Sequence, residues 1–222
     1  MKKIWIVANW KSNLGLSESL EWINKVGPQL NNRQDLQVVV APRFSALPEL
    51  KKEIQINNYP IILASQDLSP FGTGSYTGEE PAELLKELVS MSIIGHSERR
   101  DKFAETDEMI AEKVKQAKAV GIEPILCIQN SETPIPEGVT LAAYEPIFAI
   151  GTGTPDTPQN ANSVAKDIKS RNPNLSILYG GSVNSENCQT FVDEESISGL
   201  LIGKASLDPE EFLKIVENCA KV

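Results

Sequence analysis

Residues 124–144 read PILCIQNSETPIPEGVTLAAY, and each end of this stretch is a short apolar run. Neither run, 124–128 or 141–144, alternates between apolar and polar residues as a strand with one solvated face does. Continuous apolar runs of this length are typical of strands that are buried on both faces, which occur mainly in parallel sheets. The stretch therefore predicts two neighbouring strands of a parallel sheet.

The connection between these two runs contains Pro134, Pro136 and Gly138. Proline removes a backbone donor and clashes with the preceding helical turn, and glycine lowers helix propensity, so the connection is not expected to form a stable helix. A crossover between parallel strands usually contains an α-helix. We therefore predict that one outer helix is missing here.

Six further apolar runs extend this pattern over the rest of the chain: 4–7, 38–40, 61–63, 93–94, 177–179 and 200–202. Most are separated by amphipathic stretches, with apolar side chains at helical spacing at 16, 20, 23 and 26, at 110, 114 and 117, and at 212, 216 and 219. The pattern predicts an α/β fold, a closed (β/α)8 barrel forming one domain over 1–222. An open doubly wound sheet is the alternative, which eight units disfavour.

Helix start signals agree with this arrangement. Asp208 offers an N-cap, followed by Pro209 in the first turn and a capping glutamate. The pairs at 157–158 and 80–81 also place a proline where a helix can begin.

Composition excludes several classes of protein. The chain has 222 residues, 41% hydrophobic and 23% charged, which is typical of globular proteins rather than disordered ones. No apolar run approaches the roughly 18 residues of a membrane span, and the run 4–8 is too short for a signal peptide. The net charge of −9 argues against a nucleic-acid partner. Three cysteines without a CxxC pair are expected to be free thiols in a reducing, cytoplasmic compartment.

Reactive side chains follow three of the predicted strands, at the end of the barrel where such folds build their active sites. Lys11 follows the first strand; a solvated loop lysine is the alternative to a cation facing the barrel mouth. His96, the single histidine, follows the fourth strand. A structural histidine is the alternative, but this placement favours catalysis. If Ser97 and Glu98 open a short helix, its N-terminus favours a neutral imidazole that can polarise a carbonyl.

Glu145 follows the sixth strand. An arginine pair is the alternative to a general base, which would have to be buried from water. The segment 146–155 is apolar, contains glycines and is bracketed by prolines, which is typical of a lid that closes over a substrate.

Glycine-containing turns follow strands seven and eight and include Ser182, Gly203 and Lys204. Each is a weak signal alone, but barrels frequently bind phosphate with backbone N–H groups in these two loops. Such a site, together with Lys11, provides local positive potential for an anionic substrate in an acidic protein.

The chain closely resembles the triosephosphate isomerase family. The resemblance rests on motifs that occur in order along the whole chain: NWK at 9–11, GHSERR at 95–100, AYEP at 143–146, AIGTG at 149–153, YGGSV at 179–183 and GKASL at 203–207. One such string is suggestive, and the ordered set is highly specific.

This resemblance implies interconversion of dihydroxyacetone phosphate and glyceraldehyde 3-phosphate without a metal or organic cofactor. By position, Glu145 would transfer the proton between carbons and His96 would polarise the carbonyl. Lys11 and Asn9 would stabilise the oxyanion. The remaining implied roles are phosphate binding by backbone groups of Gly151, Ser182, Gly203 and Lys204, and support of the catalytic groups by Ser97 and Glu98.

The resemblance also implies a homodimer in which the loop 66–79 enters a partner, with Thr77 near the partner's active site. A surface loop is the alternative, and a larger assembly would follow if the flank without a helix formed a second interface. The chain departs from the family pattern at Ser12, at 129–130, at Phe148 and at Lys204.

Two other functions stay open. One is a catalytically inactive barrel that binds phosphorylated metabolites or a protein partner, which the missing helix motivates; the presence of Lys11, His96, Glu145 and a full-length lid argues against it. The other is an enzyme acting on a larger phosphorylated substrate, which the compact lid disfavours.

Overall fold

A computed structural model describes residues 2–146 and 155–220. Eight parallel strands form one closed barrel in chain order, and the last strand pairs with the first. The strands β1 to β8 are Ile4–Asn9, Leu36–Ala41, Ile61–Ser65, Met91–Ile94, Glu123–Ile128, Leu141–Tyr144, Ser176–Tyr179 and Ile197–Ile202. The predicted (β/α)8 barrel is confirmed and the open sheet is wrong, because β1 and β8 are hydrogen-bonded neighbours. The assignment of 1–222 to one domain stays a prediction.

Eight α-helices occur within the described ranges and pack outside the strands. They are α1 Leu16–Val26, α2 Leu47–Asn57, α3 Ala82–Leu85, α4 Ser97–Lys102, α5 Asp107–Ala119, α6 Pro158–Arg171, α7 Cys188–Val192 and α8 Pro209–Cys219. None of the helices in the described ranges is long and apolar enough to cross a membrane.

The connection between β5 and β6 has no helix, as its prolines predict: residues 129–140 are all described, and none of them is helical. Two of its side chains, Ile135 and Val139, are partly buried against the hydrophobic core. Nη2 of Arg171 in α6 donates to the carbonyl oxygen of Ser131 at 2.7 Å. The segment thus covers part of the flank that a helix would otherwise occupy.

Helix boundaries follow the predicted signals with two corrections. The Asp208 carboxylate accepts the N–H groups of Glu210 and Glu211, and Thr157 caps α6. Glu211, however, does not complete the capping arrangement with its own helix; its carboxylate binds Ser185 in the turn after β7. Leu16 is the second correction: it is 41% exposed, because it lies in the first turn of α1, at the edge of the packed face.

Candidate active site

Glu145 and His96 meet at the mouth of the barrel, although the two are far apart in sequence. The chain leaves β6 at Tyr144 and β4 at Ile94, so both side chains lie at the carboxyl ends of the strands. Oε1 of Glu145 lies 3.0 Å from Nε2 of His96, and Oε2 accepts the backbone N–H of Ser97 at 3.0 Å. Glu145 is 1% exposed. The side chain is therefore buried from water, which is the environment that the interpretation of Glu145 as a general base requires.

The start of α4 selects the tautomer of a neutral His96 ring. His96 is the N-cap residue of this helix, and its Nδ1 accepts the backbone N–H of Glu98 at 3.2 Å. A nitrogen that accepts a hydrogen bond carries no proton, so the proton of a neutral imidazole resides on Nε2. That Nε2–H faces the Glu145 carboxylate at the barrel mouth. A carbonyl oxygen could replace the carboxylate as the acceptor of this N–H.

Lys11 adopts a left-handed backbone conformation with φ of 51°. This conformation is costly for a residue with a side chain and persists when its surroundings enforce it. Oδ1 of Asn9 accepts the Lys11 N–H at 3.1 Å, and Nε2 of Gln66 donates to the Lys11 carbonyl at 2.8 Å. Gln66 also donates to the carbonyl of Ala41 at 2.9 Å, which ties the turn to β2. In the sequence, Gln66 is only the start of a predicted loop, and no local pattern predicts this contact.

The Lys11 ammonium forms an ion pair with Glu98 in the first turn of α4, with Nζ 2.7 Å from Oε1. Burial alone would raise the pKa of Glu98, but the hydrogen bond and the charge of Lys11 outweigh burial and hold this pKa below its usual value. The pair joins the end of β1 to the helix that carries His96. The cation and the imidazole are thus fixed to the same helix.

Two neighbours confine the Glu145 side chain. A Cβ placed on Gly180 would lie 3.0 Å from Cγ of Glu145, so a larger residue there would push the carboxylate aside. Cys127 in β5 is buried against the same carboxylate; burial and the charge of Glu145 raise the pKa of this thiol well above its usual value. Cys127 was predicted only to be a free thiol, and no local signal in the sequence identifies it as a neighbour of Glu145.

The loop after β8 lies beside Lys11. A Cβ placed on Gly203 would lie 3.6 Å from Cε of Lys11 and 3.8 Å from its Nζ. Lys204 begins a 3₁₀ turn, Lys204–Leu207, and its side chain is exposed. Its φ lies outside the left-handed region, so a lysine fits this position without backbone strain. Nε1 of Trp22 donates to the carbonyl of Ser206 at 3.0 Å and supports the turn from outside.

The remaining predicted phosphate-binding residues have different outcomes. The carbonyl of Ser182 accepts Nδ2 of Asn187 at 3.2 Å, which places it within an ordered turn after β7. Gly151 and most of the segment 146–155 lie outside the described residues, as does Phe148. Among the residues that the structure describes, no group of three or more His, Cys, Asp or Glu side chains is arranged to hold a metal ion.

A cluster of buried charges lies beneath the start of the 66–79 loop. Nζ of Lys113 contacts Oδ1 and Oδ2 of Asp67 at 2.8 and 2.7 Å and also binds Glu105. Nε of Arg99 lies 2.8 Å from Asp67 and 2.9 Å from Glu105. Burial raises the pKa of Asp67 to about 6. The sequence did not lead us to predict this cluster. Its one sign in the sequence is that Lys113 lies on the same helical face of α5 as the apolar Val114.

The 66–79 loop presents aromatic side chains to solvent. The rings of Phe71 and Tyr76 stack with centroids 4.5 Å apart, and both residues are nearly half exposed. Thr77 is exposed.

Comparison with known proteins shows which family the chain resembles in sequence. The family model described as triosephosphate isomerase matches residues 4–142 and 137–219. The triosephosphate isomerase of Mesomycoplasma hyopneumoniae (strain 232) is 38% identical over 245 aligned positions, covering 98% of this chain and all of the relative. That of Thermoanaerobacter sp. (strain X514) is 38% identical, covering 97% and 99%, and that of Aquifex aeolicus (strain VF5) is 36% identical, covering 95% and 97%.

The two family-model matches overlap at residues 137–142, which are the end of the helix-free connection and the start of β6. The alignment of 245 positions exceeds the 222 residues of this chain by 23, so at least 23 positions of the first relative have no counterpart here. The fold, the site and these relatives define the class: an intramolecular isomerase on a (β/α)8 barrel. More particularly, the chain belongs to the triosephosphate isomerase family.

Proposed function

We propose that this protein interconverts dihydroxyacetone phosphate and D-glyceraldehyde 3-phosphate by proton transfer through an enediolate. The observation that carries the proposal is the buried Glu145 carboxylate paired with Nε2 of His96 at 3.0 Å, where the barrel strands end. Such a pair supplies a base and a neutral hydrogen-bond donor, the two groups that an aldose–ketose isomerisation requires.

In the proposed reaction, Glu145 removes a proton from one substrate carbon and returns it to the neighbouring carbon. The His96 Nε2–H polarises the carbonyl and moves protons between the two oxygens of the enediol. Lys11 and Asn9 stabilise the negative charge that develops on oxygen. The Glu145 oxygens are bound by His96 and Ser97. In the proposed reaction the carboxylate leaves these donors to reach the substrate carbon.

The phosphate group is proposed to bind backbone N–H groups of Gly151, Ser182, Gly203 and Lys204. The proximity of Gly203 to the Lys11 side chain supports this, because the same cation can then reach the phosphate. The segment 146–155 is proposed to close as a lid. Excluding water strengthens every charge interaction in the site and protects the enediolate from loss of phosphate.

The test is isomerisation of glyceraldehyde 3-phosphate by purified protein beside its Glu145→Gln variant. We expect the variant to lose roughly 10²- to 10⁴-fold in rate, since it lacks the positioned base. Glu137→Gln, at an exposed position in the connection between β5 and β6, is the control and keeps wild-type activity. A correctly folded wild type without activity would favour an inactive barrel that binds phosphorylated metabolites or a protein partner. Saturable turnover of a larger phosphosugar would favour an enzyme that acts on a larger phosphorylated substrate.

We also propose a cytoplasmic homodimer that forms through the loop 66–79, with Thr77 near the partner's active site. The exposed stack of Phe71 on Tyr76 supports this, since such an apolar surface is more favourable when buried. Light scattering at working concentration should give twice the chain mass. A monomer mass would contradict the proposal, and a larger mass would point to a second interface at the covered flank.

A further inference from the structure

The turn after β7 is ordered by its own polar side chains. Oδ1 of Asn187 accepts the Asn184 N–H at 2.9 Å, and Oδ1 of Asn184 accepts the Asn187 N–H at 3.0 Å. Nδ2 of Asn187 reaches back to the Ser182 carbonyl at 3.2 Å. Ser182, Asn184 and Asn187 are therefore connected as one unit, and Ser185 lies in the same turn.

Glu211 holds this unit on α8. Its Oε1 accepts the backbone N–H of Ser185 at 2.7 Å, and its Oε2 accepts the Ser185 hydroxyl at 3.0 Å. A second α8 side chain, Asn218, donates from Nδ2 to the Ser185 carbonyl at 2.9 Å. Since Asp208 already caps α8, the helix does not require Glu211 for its own donors. Both oxygens of the Glu211 carboxylate therefore bind the turn after β7.

We infer that Glu211 is a positioning residue for the phosphate group of the substrate. This inference rests on the proposed function. The two hydrogen bonds from Ser185 to Glu211 hold the turn so that the Ser182 N–H points at the phosphate. A carboxylate near an anion site is otherwise unfavourable by repulsion, and here both of its oxygens are occupied by Ser185 donors. Preorganised donors bind an anion better than mobile ones, because their ordering does not have to occur on binding.

The test compares wild type with Glu211→Gln in two assays. The first measures competitive inhibition by inorganic phosphate and the kcat/KM for glyceraldehyde 3-phosphate. The second measures kcat/KM for unphosphorylated glyceraldehyde, which has no phosphate to position. We expect the phosphate inhibition constant to rise, and kcat/KM for the phosphorylated substrate to fall, each by about tenfold, because a hydrogen bond to a charged group is lost. The unphosphorylated substrate should show no change.

Matched variants separate positioning from folding. Glu210→Gln alters the adjacent residue, whose carboxylate pairs with the exposed Lys25 at 2.8 Å, and should leave all three measurements unchanged. Ser185→Ala removes one of the two bonds and should give a smaller effect that is not additive with Glu211→Gln. An unchanged or lower phosphate inhibition constant in a folded Glu211→Gln variant would overturn the inference, as would equal losses with both substrates. A wild type without isomerase activity would instead contradict the proposed function.

Discussion

Nδ1 of His96 accepts the backbone N–H of Glu98, so the helix that begins at Ser97 selects the tautomer of the single histidine. The other ring nitrogen must then carry the proton and face Glu145. A short helix thereby determines both the orientation and the hydrogen-bonding role of the imidazole.

Because the chain has one histidine, this tautomer can be measured without assignment. We expect ¹⁵N NMR of the free protein to show that the neutral ring has a protonated Nε2 and an unprotonated Nδ1. His96→Gln, which removes the ring, identifies the signal. A neutral ring protonated at Nδ1 would contradict the structure, because Nδ1 could then not accept the Glu98 N–H.

The strained backbone at Lys11 leads to a prediction that separates activity from stability. Lys11→Met and Lys11→Gly both remove the cation, and each should lower kcat by roughly 10²- to 10³-fold if Lys11 stabilises the oxyanion. Only glycine relieves the cost of φ at 51°, so Lys11→Gly should be more stable than Lys11→Met by about 1 kcal/mol. Urea unfolding measures the difference, and equal stabilities would show that the backbone is not strained. Lys25→Met, at an exposed lysine, is the activity control.

The Lys204→Gly variant tests whether phosphate affinity depends on the side chain of Lys204. The Lys204 side chain is exposed and its backbone is unstrained, so Lys204→Gly should change phosphate affinity by about twofold or less. The measurement is competitive inhibition by inorganic phosphate. A collapse of activity would mean that the lysine side chain itself contacts substrate.

The buried charge cluster predicts a pH dependence of stability. Burial raises the pKa of Asp67 to about 6, compared with about 3.9 in an unfolded chain. Between these pH values the folded state binds a proton that the unfolded state has released, so the contribution of Asp67 to stability falls as pH rises from about 4 to about 6. The loss is on the order of 3 kcal/mol, since one pKa unit corresponds to about 1.4 kcal/mol.

Urea unfolding of wild type and Asp67→Asn at one protein concentration isolates this contribution. The difference in unfolding free energy, wild type minus variant, should decrease across the window and become constant above pH 7. A difference that does not vary with pH would show that Asp67 titrates normally.

The helix-free connection predicts a local stability effect. Ile135 is partly buried against the core, so Ile135→Ala should lower the free energy of unfolding by about 1 to 2 kcal/mol. Glu137→Ala, at an exposed position in the same segment, should have little effect. If Ile135→Ala also has no effect, the segment does not contribute to covering the barrel.

The sequence alone determined the barrel and the position of its missing helix. Buried parallel strands require continuous apolar runs, which is why Leu141–Tyr144 was predicted with its observed bounds. Pro134 and Pro136 exclude a helix by backbone chemistry, and that effect is local. The candidate site residues could also be predicted from the sequence. Lys11, His96 and Glu145 each follow a strand, and the carboxyl ends of barrel strands lie close together.

Only the tertiary structure decided which groups pair. The contacts of Gln66 with the Lys11 turn, of Cys127 with Glu145, and of Glu211 with Ser185 join residues that have no sequence relationship. The last of these overrode a local preference: Glu211 was expected to cap its own helix, but Ser185 offers it two donors at once. Hydrogen bonding depends on distance and direction in three dimensions, and closure of the barrel sets both.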